Sequence, residues 1–159
     1  MTRTADTATT GANDDVPGRT SVEITRRVSI SQVDHRQIFY GTYLLWMAEG
    51  YEELLHALGH PLERHVDEGV ETPVVAVDCR YLSPTRLGDE VKIQSSVARI
   101  GRTSFQVEHR LRLGDRAVAL GTVTKVCVDT HTQRPVPVPL WLRQAAPTEA
   151  ESTAGLTGR

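Results

Sequence analysis

One long stretch of the chain has the hydrophobic spacing of an α-helix, and the residues after it have the spacing of β-strands. Beginning at Gly41, apolar side chains recur every three or four residues, which aligns them along one side of a helix. These residues are Leu44, Met47, Ala48, Tyr51, Leu54, Leu55 and Leu58, with Glu49, Glu52, Glu53 and His56 opposite them. Gly59 and Pro61 are typical of a helix end. A single helix this apolar needs a sheet to cover it.

Segments on both sides of the predicted helix alternate apolar and polar residues, as half-buried strands do. We predict one strand before the helix, from Val22 to Ile30, and four after it, separated by turns at Gly88-Asp89, Gly101-Arg102 and Gly114-Asp115. In the last strand the residues expected to point inward are Val118, Leu120, Val126 and Val128. The order predicts an α+β domain in which an antiparallel sheet of about five strands wraps one long central helix.

The composition limits the partners of this domain. Residues 1–19 and 144–159 are polar and rich in small residues, so we predict a disordered leader and a disordered tail around a domain of residues 20–143. A net charge of −2 gives no basic footprint for nucleic acid. The sequence has neither a secretory h-region nor an apolar run long enough for a membrane span. We therefore expect a cytoplasmic protein without nucleic-acid or membrane partners.

Cys79 and Cys127 both fall within predicted strands, where buried, reduced thiols are typical. Two cysteines and scattered histidines do not form a metal-binding pattern, so no metal and no cofactor are predicted. A sheet curled around a single helix leaves a free edge and an apolar back face. Since a second copy would cover both, we predict a homodimer or a homotetramer built as a dimer of dimers.

The residues best suited to chemistry lie where the chain enters the helix. Asp34 and His35 occupy a polar loop, and Tyr40, Gly41 and Thr42 come at the helix start. The first N–H groups of a helix have no intrahelical acceptor and carry partial positive charge, which suits a developing oxyanion. A nearby carboxylate can act as a nucleophile or as a general base on water.

The order of elements and several motifs resemble the hotdog-fold acyl-thioesterases of the 4-hydroxybenzoyl-CoA thioesterase and YbgC type, over about residues 22–142. The motifs are the Asp34 loop, Phe39-Tyr40-Gly41-Thr42-Tyr43-Leu44-Leu45-Trp46, the block from Val75 to Asp89, Gly101-Arg102-Thr103-Ser104-Phe105 and Val126-Cys127-Val128-Asp129. The run Tyr43-Leu44-Leu45-Trp46 is also similar to the enediyne polyketide thioesterases, which act on carrier-protein-bound polyenes. The resemblance implies a hotdog fold, sites at subunit interfaces, and hydrolysis of an acyl thioester carried on CoA or on an acyl carrier protein.

The resemblance also implies catalytic residues. In the family, an aspartate in the loop lies ten positions before the tyrosine that matches Tyr43. Here Val33 has that position and Asp34 comes next, so Asp34 is the predicted catalytic carboxylate, with a turn-forming role as the alternative. Tyr40 and Gly41 are expected to present backbone N–H groups to the thioester carbonyl. Glu49 is a second catalytic candidate, because a related branch places a glutamate on this helix, although its spacing is also that of a solvated face.

Six further residues are expected to bind substrate, namely His35, Tyr43, Trp46, Arg102, Thr103 and Ser104. Tyr43 would line the acyl channel with Tyr40, and the Arg102 hairpin would hold CoA or pantetheine phosphates. Each has an ordinary structural alternative: a solvated loop for His35, core packing for Trp46, and a solvated hairpin tip for Arg102.

Two other functions remain open at the level of sequence. His35 beside Asp34 is the acid and histidine pair that a hotdog dehydratase, or a cyclase acting on a tethered polyketide, would need. A non-catalytic hotdog module that binds an acyl-CoA is the second alternative. Release of a free acid would distinguish hydrolysis from both.

Overall fold

A computed structural model of the protein describes residues 19–147. In chain order its elements are strand β1 (Ser21–Arg27), a 3-10 turn (Ile30–Gln32), strands β2 (Val33–Asp34) and β3 (Gln37–Ile38), helix α1 (Tyr40–Ala57), a 3-10 turn (Leu62–Arg64), helix α2 (His65–Glu68), strands β4 (Val70–Glu71), β5 (Val74–Tyr81), β6 (Glu90–Ile100), β7 (Ser104–Leu113), β8 (Arg116–Val126) and β9 (Val128–Asp129), and helix α3 (Leu140–Arg143). The predicted leader up to residue 18 and the predicted tail from residue 148 lie outside these residues.

The main sheet has five antiparallel strands in the order β1, β6, β7, β8, β5. Helix α1 packs against one face of this sheet, mainly against β1 and β6. The prediction of one long helix wrapped by a five-stranded antiparallel sheet is confirmed. Two short antiparallel pairs lie outside the main sheet: the hairpin of β2 with β3, and β4 with the distant β9. None of the helices in residues 19–147 combines the length and apolar character that crossing a bilayer requires.

Helix α1 turns a different side toward the sheet than its spacing predicted. The side chains it buries are those of Thr42, Tyr43, Trp46, Met47, Tyr51, Leu54 and Leu55. Leu44 is 37% exposed and Ala48 is exposed as well, so the prediction was wrong for these two residues. The reason is a close approach at Gly50, where an added Cβ would come into steric conflict with the Ser95 hydroxyl of β6. Only a residue without a side chain allows the helix to lie this close to the sheet.

Strand β8 also has a different phase from the one predicted. The register skips Val118 of β8, because Leu111 is opposite Ala119 whereas Arg112 is opposite Ala117, and this irregularity changes which side chains of β8 face inward. Every second residue from Ala119 onward is buried on the helix side of the sheet. These residues are Ala119, Gly121, Val123, Lys125 and Cys127. The prediction that Leu120 and Val126 point inward was wrong, since both are only half-buried. A charged residue, Lys125, therefore occupies an inner position.

The core consists of two apolar clusters along α1. One surrounds the first half of the helix and includes Tyr43 and Trp46 with residues of β1, β6, β7 and β8. The other surrounds its second half, where Leu54 and Leu55 are fully buried and each stabilise the fold by about 2 kcal/mol. Residues 140–146 fold back onto this second cluster, and Ala145, which falls within the predicted tail, is buried there.

Candidate active site

The N-terminus of α1 is open to a ligand. Phe39 occupies the capping position with extended backbone, and its side chain provides no hydrogen-bond acceptor for the helix. The Thr42 N–H donates to the Phe39 carbonyl at 2.9 Å. Among the described residues, the N–H groups of Tyr40 and Gly41 have no acceptor. Two backbone donors at the positive end of an 18-residue helix are therefore free.

A cavity of about 320 Å³, the N-terminal cavity, lies beside these donors. Its lining consists of Gln37, Ile38, Tyr40, Tyr43, Tyr81, Leu82, Ser83, Pro84 and Thr85. The Tyr43 and Tyr81 rings meet edge to face at 5.4 Å, and the Tyr81 hydroxyl donates to the Tyr40 carbonyl at 3.3 Å. The structure thus brings the predicted residues Tyr40 and Tyr43 together in an aromatic-walled cavity.

The Tyr43 hydroxyl has a fixed partner in this wall. It lies 2.8 Å from the hydroxyl of Thr85, which is fully buried. Burial raises the pKa of Tyr43 above its ordinary value, and the hydrogen bond with Thr85 only partly offsets this effect. Tyr43 is therefore a neutral phenol at physiological pH that forms part of the wall rather than a base.

Asp34 and His35 lie on the hairpin formed by β2 and β3. His35 turns the hairpin with a φ of 56°, and its side chain is 97% exposed. The Asp34 carboxylate is 72% exposed and lies 3.7 Å from the His35 ring. Asp34 is opposite Gln37 in the hairpin register, and Gln37 lines the N-terminal cavity. The predicted carboxylate is thus accessible to water and one residue pair away from the cavity.

A second cavity of about 580 Å³, the arginine cavity, adjoins the first and shares Gln37 and Pro84 with it. Its lining also includes His35, Arg36 and Arg86. Neither guanidinium forms an ion pair within residues 19–147. Arg36 was not among the predicted binding residues, although its position directly after Asp34 and His35 was a signal for it.

Two predicted residues on α1 have partners of a structural kind. The Glu49 carboxylate forms an ion pair with the Arg26 guanidinium of β1 at 2.5 Å, and Glu49 lines neither cavity described above. Trp46 is 2% exposed and packs edge to face against Tyr43 at 5.9 Å. Both side chains hold α1 against the sheet.

The Arg102 hairpin lies at the other end of the domain. Phe105, at the start of β7, packs against Tyr51, which is about 16 Å along the helix from Tyr40. The carbonyls of Gly101 and Arg102 both accept hydrogen bonds from the Arg143 guanidinium. Within one subunit, Arg102, Thr103 and Ser104 are therefore separated from the N-terminal cavity.

The prediction also missed two polar residues on the inner face of the sheet. His109 alternates with Val107 and Leu111 on β7 and is fully buried, and Lys125 on β8 is 9% exposed. Burial lowers the pKa of Lys125 to about 8. Burial, and then the charge of Lys125, lower the pKa of His109 to about 4. The sequence did contain a signal for both residues, because each is a polar residue at a position that alternates with core residues.

The chemistry of the described residues 19–147 rests on backbone donors, carboxylates and hydroxyls. Within this part of the chain, no group of three or more His, Cys, Asp or Glu side chains is arranged to hold a metal ion. Both cysteines are free thiols. One long helix wrapped by an antiparallel sheet is the hotdog fold, and free donors at the helix start suit the acyl thioesterases of this class.

Comparison with known proteins agrees with this class. Residues 28–146 match the Thioesterase-like superfamily, and the chain belongs to that family. It is 31% identical over 120 residues to a 1,4-dihydroxy-2-naphthoyl-CoA hydrolase of Thermosynechococcus vestitus, covering 71% of this chain and 81% of that protein.

Solved structures with the same fold include a gentisyl-coenzyme A thioesterase, 27% identical with a TM-score of 0.70, covering 77% of this chain and 98% of the other. The 4-hydroxybenzoyl CoA thioesterase from Pseudomonas sp. strain CBS-3 has a TM-score of 0.69 at 20% identity, covering 78% and 98%. The predicted fold, family and acyl-CoA thioesterase activity are confirmed.

Proposed function

We propose that the protein hydrolyses the CoA thioester of an aromatic acyl group at the N-terminus of α1. The observation that carries this proposal is the pair of free N–H groups, on Tyr40 and Gly41, beside a cavity walled by tyrosines. Aromatic rings pack favourably edge to face against such walls. The related hydrolase and the gentisyl-coenzyme A thioesterase are both named for aromatic acyl-CoA substrates.

In the proposed reaction, the thioester carbonyl oxygen accepts hydrogen bonds from the N–H groups of Tyr40 and Gly41. These donors stabilise the negative charge that develops when the carbonyl carbon is attacked. Asp34 either attacks this carbon, forming an anhydride that water then hydrolyses to regenerate the carboxylate, or removes a proton from the attacking water. The carbon–sulfur bond breaks, the thiol leaves with a proton, and water supplies the oxygen of the free acid. The exposure of Asp34 and its position opposite Gln37 support this role.

The arginine cavity is the proposed site for the phosphates of CoA. Guanidinium groups bind phosphate through paired, charge-assisted hydrogen bonds. Arg36 and Arg86 line this cavity, and the cavity adjoins the proposed thioester site. A carrier protein presents one phosphate on its pantetheine arm, so acyl groups on carrier proteins, polyketides among them, are the second substrate class. The similarity of Tyr43-Leu44-Leu45-Trp46 to the enediyne polyketide thioesterases supports this second class.

We further propose that two chains associate through β5. In the described part of the chain this strand is paired only with β8, so no strand of residues 19–147 covers its other edge. Four of its apolar side chains are about half exposed, those of Val74, Val75, Val77 and Tyr81. An apolar, unpaired edge is a site for pairing with another chain. In such a dimer the N-terminal cavity, which Tyr81 lines, would lie beside the subunit interface.

A substrate panel tests the proposed function. Release of free thiol is measured with aromatic and aliphatic acyl groups, each carried on CoA, on a carrier protein and on N-acetylcysteamine. We expect the highest kcat/KM with aromatic acyl-CoA, and we expect Asp34→Asn to lower it by orders of magnitude without changing Tm. Asp34→Asn should leave the fold intact because Asp34 is exposed and has no buried partner.

Asp115→Asn is the matched control, because Asp115 is an exposed carboxylate in the turn between β7 and β8. Its activity should equal that of the wild-type protein. Wild-type rates in Asp34→Asn would exclude Asp34 as the carboxylate. Equal rates with CoA and N-acetylcysteamine thioesters would exclude a role for Arg36 and Arg86 in binding phosphate.

A further inference from the structure

A third cavity, the inner cavity, lies between α1, β5 and β8 and has a volume of about 220 Å³. Its lining consists of Leu44, Met47, Ala48, Tyr51, Leu62, Val74, Val77, His109, Val123 and Lys125. The walls are thus mostly apolar, with two nitrogen-bearing side chains among them. An apolar cavity of roughly 150 Å³ is large enough to bind benzene. The inner cavity is therefore large enough for a ring.

The two nitrogen-bearing side chains are incompletely paired. His109 is fully buried, its Nδ1 lies 2.8 Å from the Ser95 hydroxyl, and its Nε2 has no hydrogen-bond partner among residues 19–147. The Lys125 ammonium donates to the Thr72 carbonyl at 3.1 Å and lies 4.2 Å from the centre of the Tyr51 ring. An ammonium has three donors, so Lys125 retains hydrogen-bonding capacity. Because buried polar groups are normally paired, these two point to an oxygen-bearing occupant.

The N-terminal cavity and the inner cavity both lie between α1 and β5, and the inner cavity is further along the helix. Residues of α1 and β5 line both cavities, with Tyr40 and Tyr81 in the first and Ala48 and Val77 in the second. From Gly41 to Ala48 the helix advances about 10 Å. An acyl group whose carbonyl lies at the helix start can therefore extend its far end toward His109 and Lys125.

We infer that the inner cavity receives the far end of the acyl group, and that His109 and Lys125 select an aromatic group bearing a hydroxyl there. This inference rests on the function proposed above. A phenolic hydroxyl both donates and accepts, so its oxygen can accept from the Lys125 ammonium while its proton is donated to the His109 Nε2. In the other tautomer, the His109 Nε2–H donates to the same oxygen. An acyl group without this hydroxyl leaves the His109 Nε2 and the remaining Lys125 donors without a partner and is disfavoured.

The first test compares two substrates that differ by one hydroxyl, 6-hydroxy-2-naphthoyl-CoA and 2-naphthoyl-CoA. We expect the wild-type protein to prefer the hydroxylated substrate in kcat/KM by at least about tenfold. In Lys125→Met this preference should fall toward one. Val123→Ala is the matched control, since it enlarges the same cavity without removing a nitrogen. It should lower kcat/KM for both substrates and keep their ratio within about twofold.

The inference is overturned if the wild-type protein has no preference, or if Val123→Ala and Lys125→Met change the ratio equally. A second measurement is independent of thioester cleavage. 2-Naphthol is titrated into the wild-type protein while the His109 ring resonances are followed by NMR, with naphthalene as the comparison. We expect a saturable shift with 2-naphthol, a weaker response to naphthalene, and loss of the difference in Lys125→Met.

These two measurements separate the inference from the proposed function. If no aryl-CoA is hydrolysed but 2-naphthol shifts His109, the proposed function fails and the inner cavity remains a site for phenols. If aryl-CoA is hydrolysed but 2-naphthol leaves His109 unchanged, the proposed function stands and the inference is overturned. Circular dichroism and Tm of Lys125→Met establish that the variant is folded.

Discussion

The burial of His109 makes the stability of the protein depend on pH. Its ring is fully buried on the inner face of the sheet, and burial together with the nearby Lys125 charge lowers its pKa to about 4. Glu108 opposes this shift weakly. In the unfolded chain the pKa of a histidine is about 6.5. Between these values the unfolded chain therefore binds more protons than the folded protein.

Stability should consequently fall as the pH falls from about 6.5 to about 4, and the contribution of His109 is fully present above pH 6.5. The loss from this one residue approaches about 3 kcal/mol at the acid end. Urea unfolding at several pH values measures it. In His109→Gln the pH slope should be shallower than in the wild-type protein. An unchanged slope in His109→Gln would contradict the assignment.

At the level of the element, the N-terminus of helix α1 has no side-chain cap, which lowers the stability of the helix and leaves backbone N–H groups free. Ser, Thr, Asp and Asn are the side chains that usually cap a helix N-terminus, and replacing them by an apolar residue costs about 0.5–2 kcal/mol. Phe39 occupies that position here. Departures from local rules of this kind are expected at functional sites.

Gly41→Pro should lower kcat by about 10²–10³ relative to Gly41→Ala if the Gly41 N–H stabilises the oxyanion. Both substitutions add a Cβ that must displace the Phe39 ring. Only proline removes the N–H group, and proline is tolerated in the first turn of a helix. Steady-state kinetics with an aromatic acyl-CoA measures the difference, and circular dichroism checks that the helix persists. Equal kcat values would assign the oxyanion contact to other donors.

The whole molecule presents two unequal sheet edges. On β5 the exposed side chains include three valines, Val74, Val75 and Val77, whereas β1, the other edge strand, carries Glu23, Thr25 and Arg26. Charged edges resist pairing and apolar edges favour it. This difference supports the proposed association through β5.

Val75→Lys should shift the protein from dimer to monomer, because the ammonium would be buried in the proposed interface. Val75 is 60% exposed in the single chain, so the monomer should keep its fold. Size-exclusion chromatography with light scattering measures the mass. Thr25→Lys, on the exposed face of β1, should leave the mass at twice that of one chain. A dimer in Val75→Lys would locate the interface elsewhere.

By itself, the sequence determined the features that depend on neighbours along the chain. The helix predicted from Gly41 is observed at Tyr40–Ala57, and the four later strands lie between the predicted turns. The loop carrying Asp34 and the helix start at Tyr40 could also be located from sequence, because motifs of adjacent residues mark them. Periodicity and turn residues act locally, so they can be interpreted without knowing the partner.

Only the tertiary structure decided which sides of these elements meet. The close approach of Gly50 to Ser95 orients α1 so that Leu44 and Ala48 line the inner cavity between α1 and β5. The register shift at Val118, within β8, turns Lys125 inward, where it lines the inner cavity with His109. Contacts between residues far apart in the chain set both arrangements, and no local alternation encodes them. Tertiary packing therefore produced the inner cavity and separated the Arg102 hairpin from the helix start.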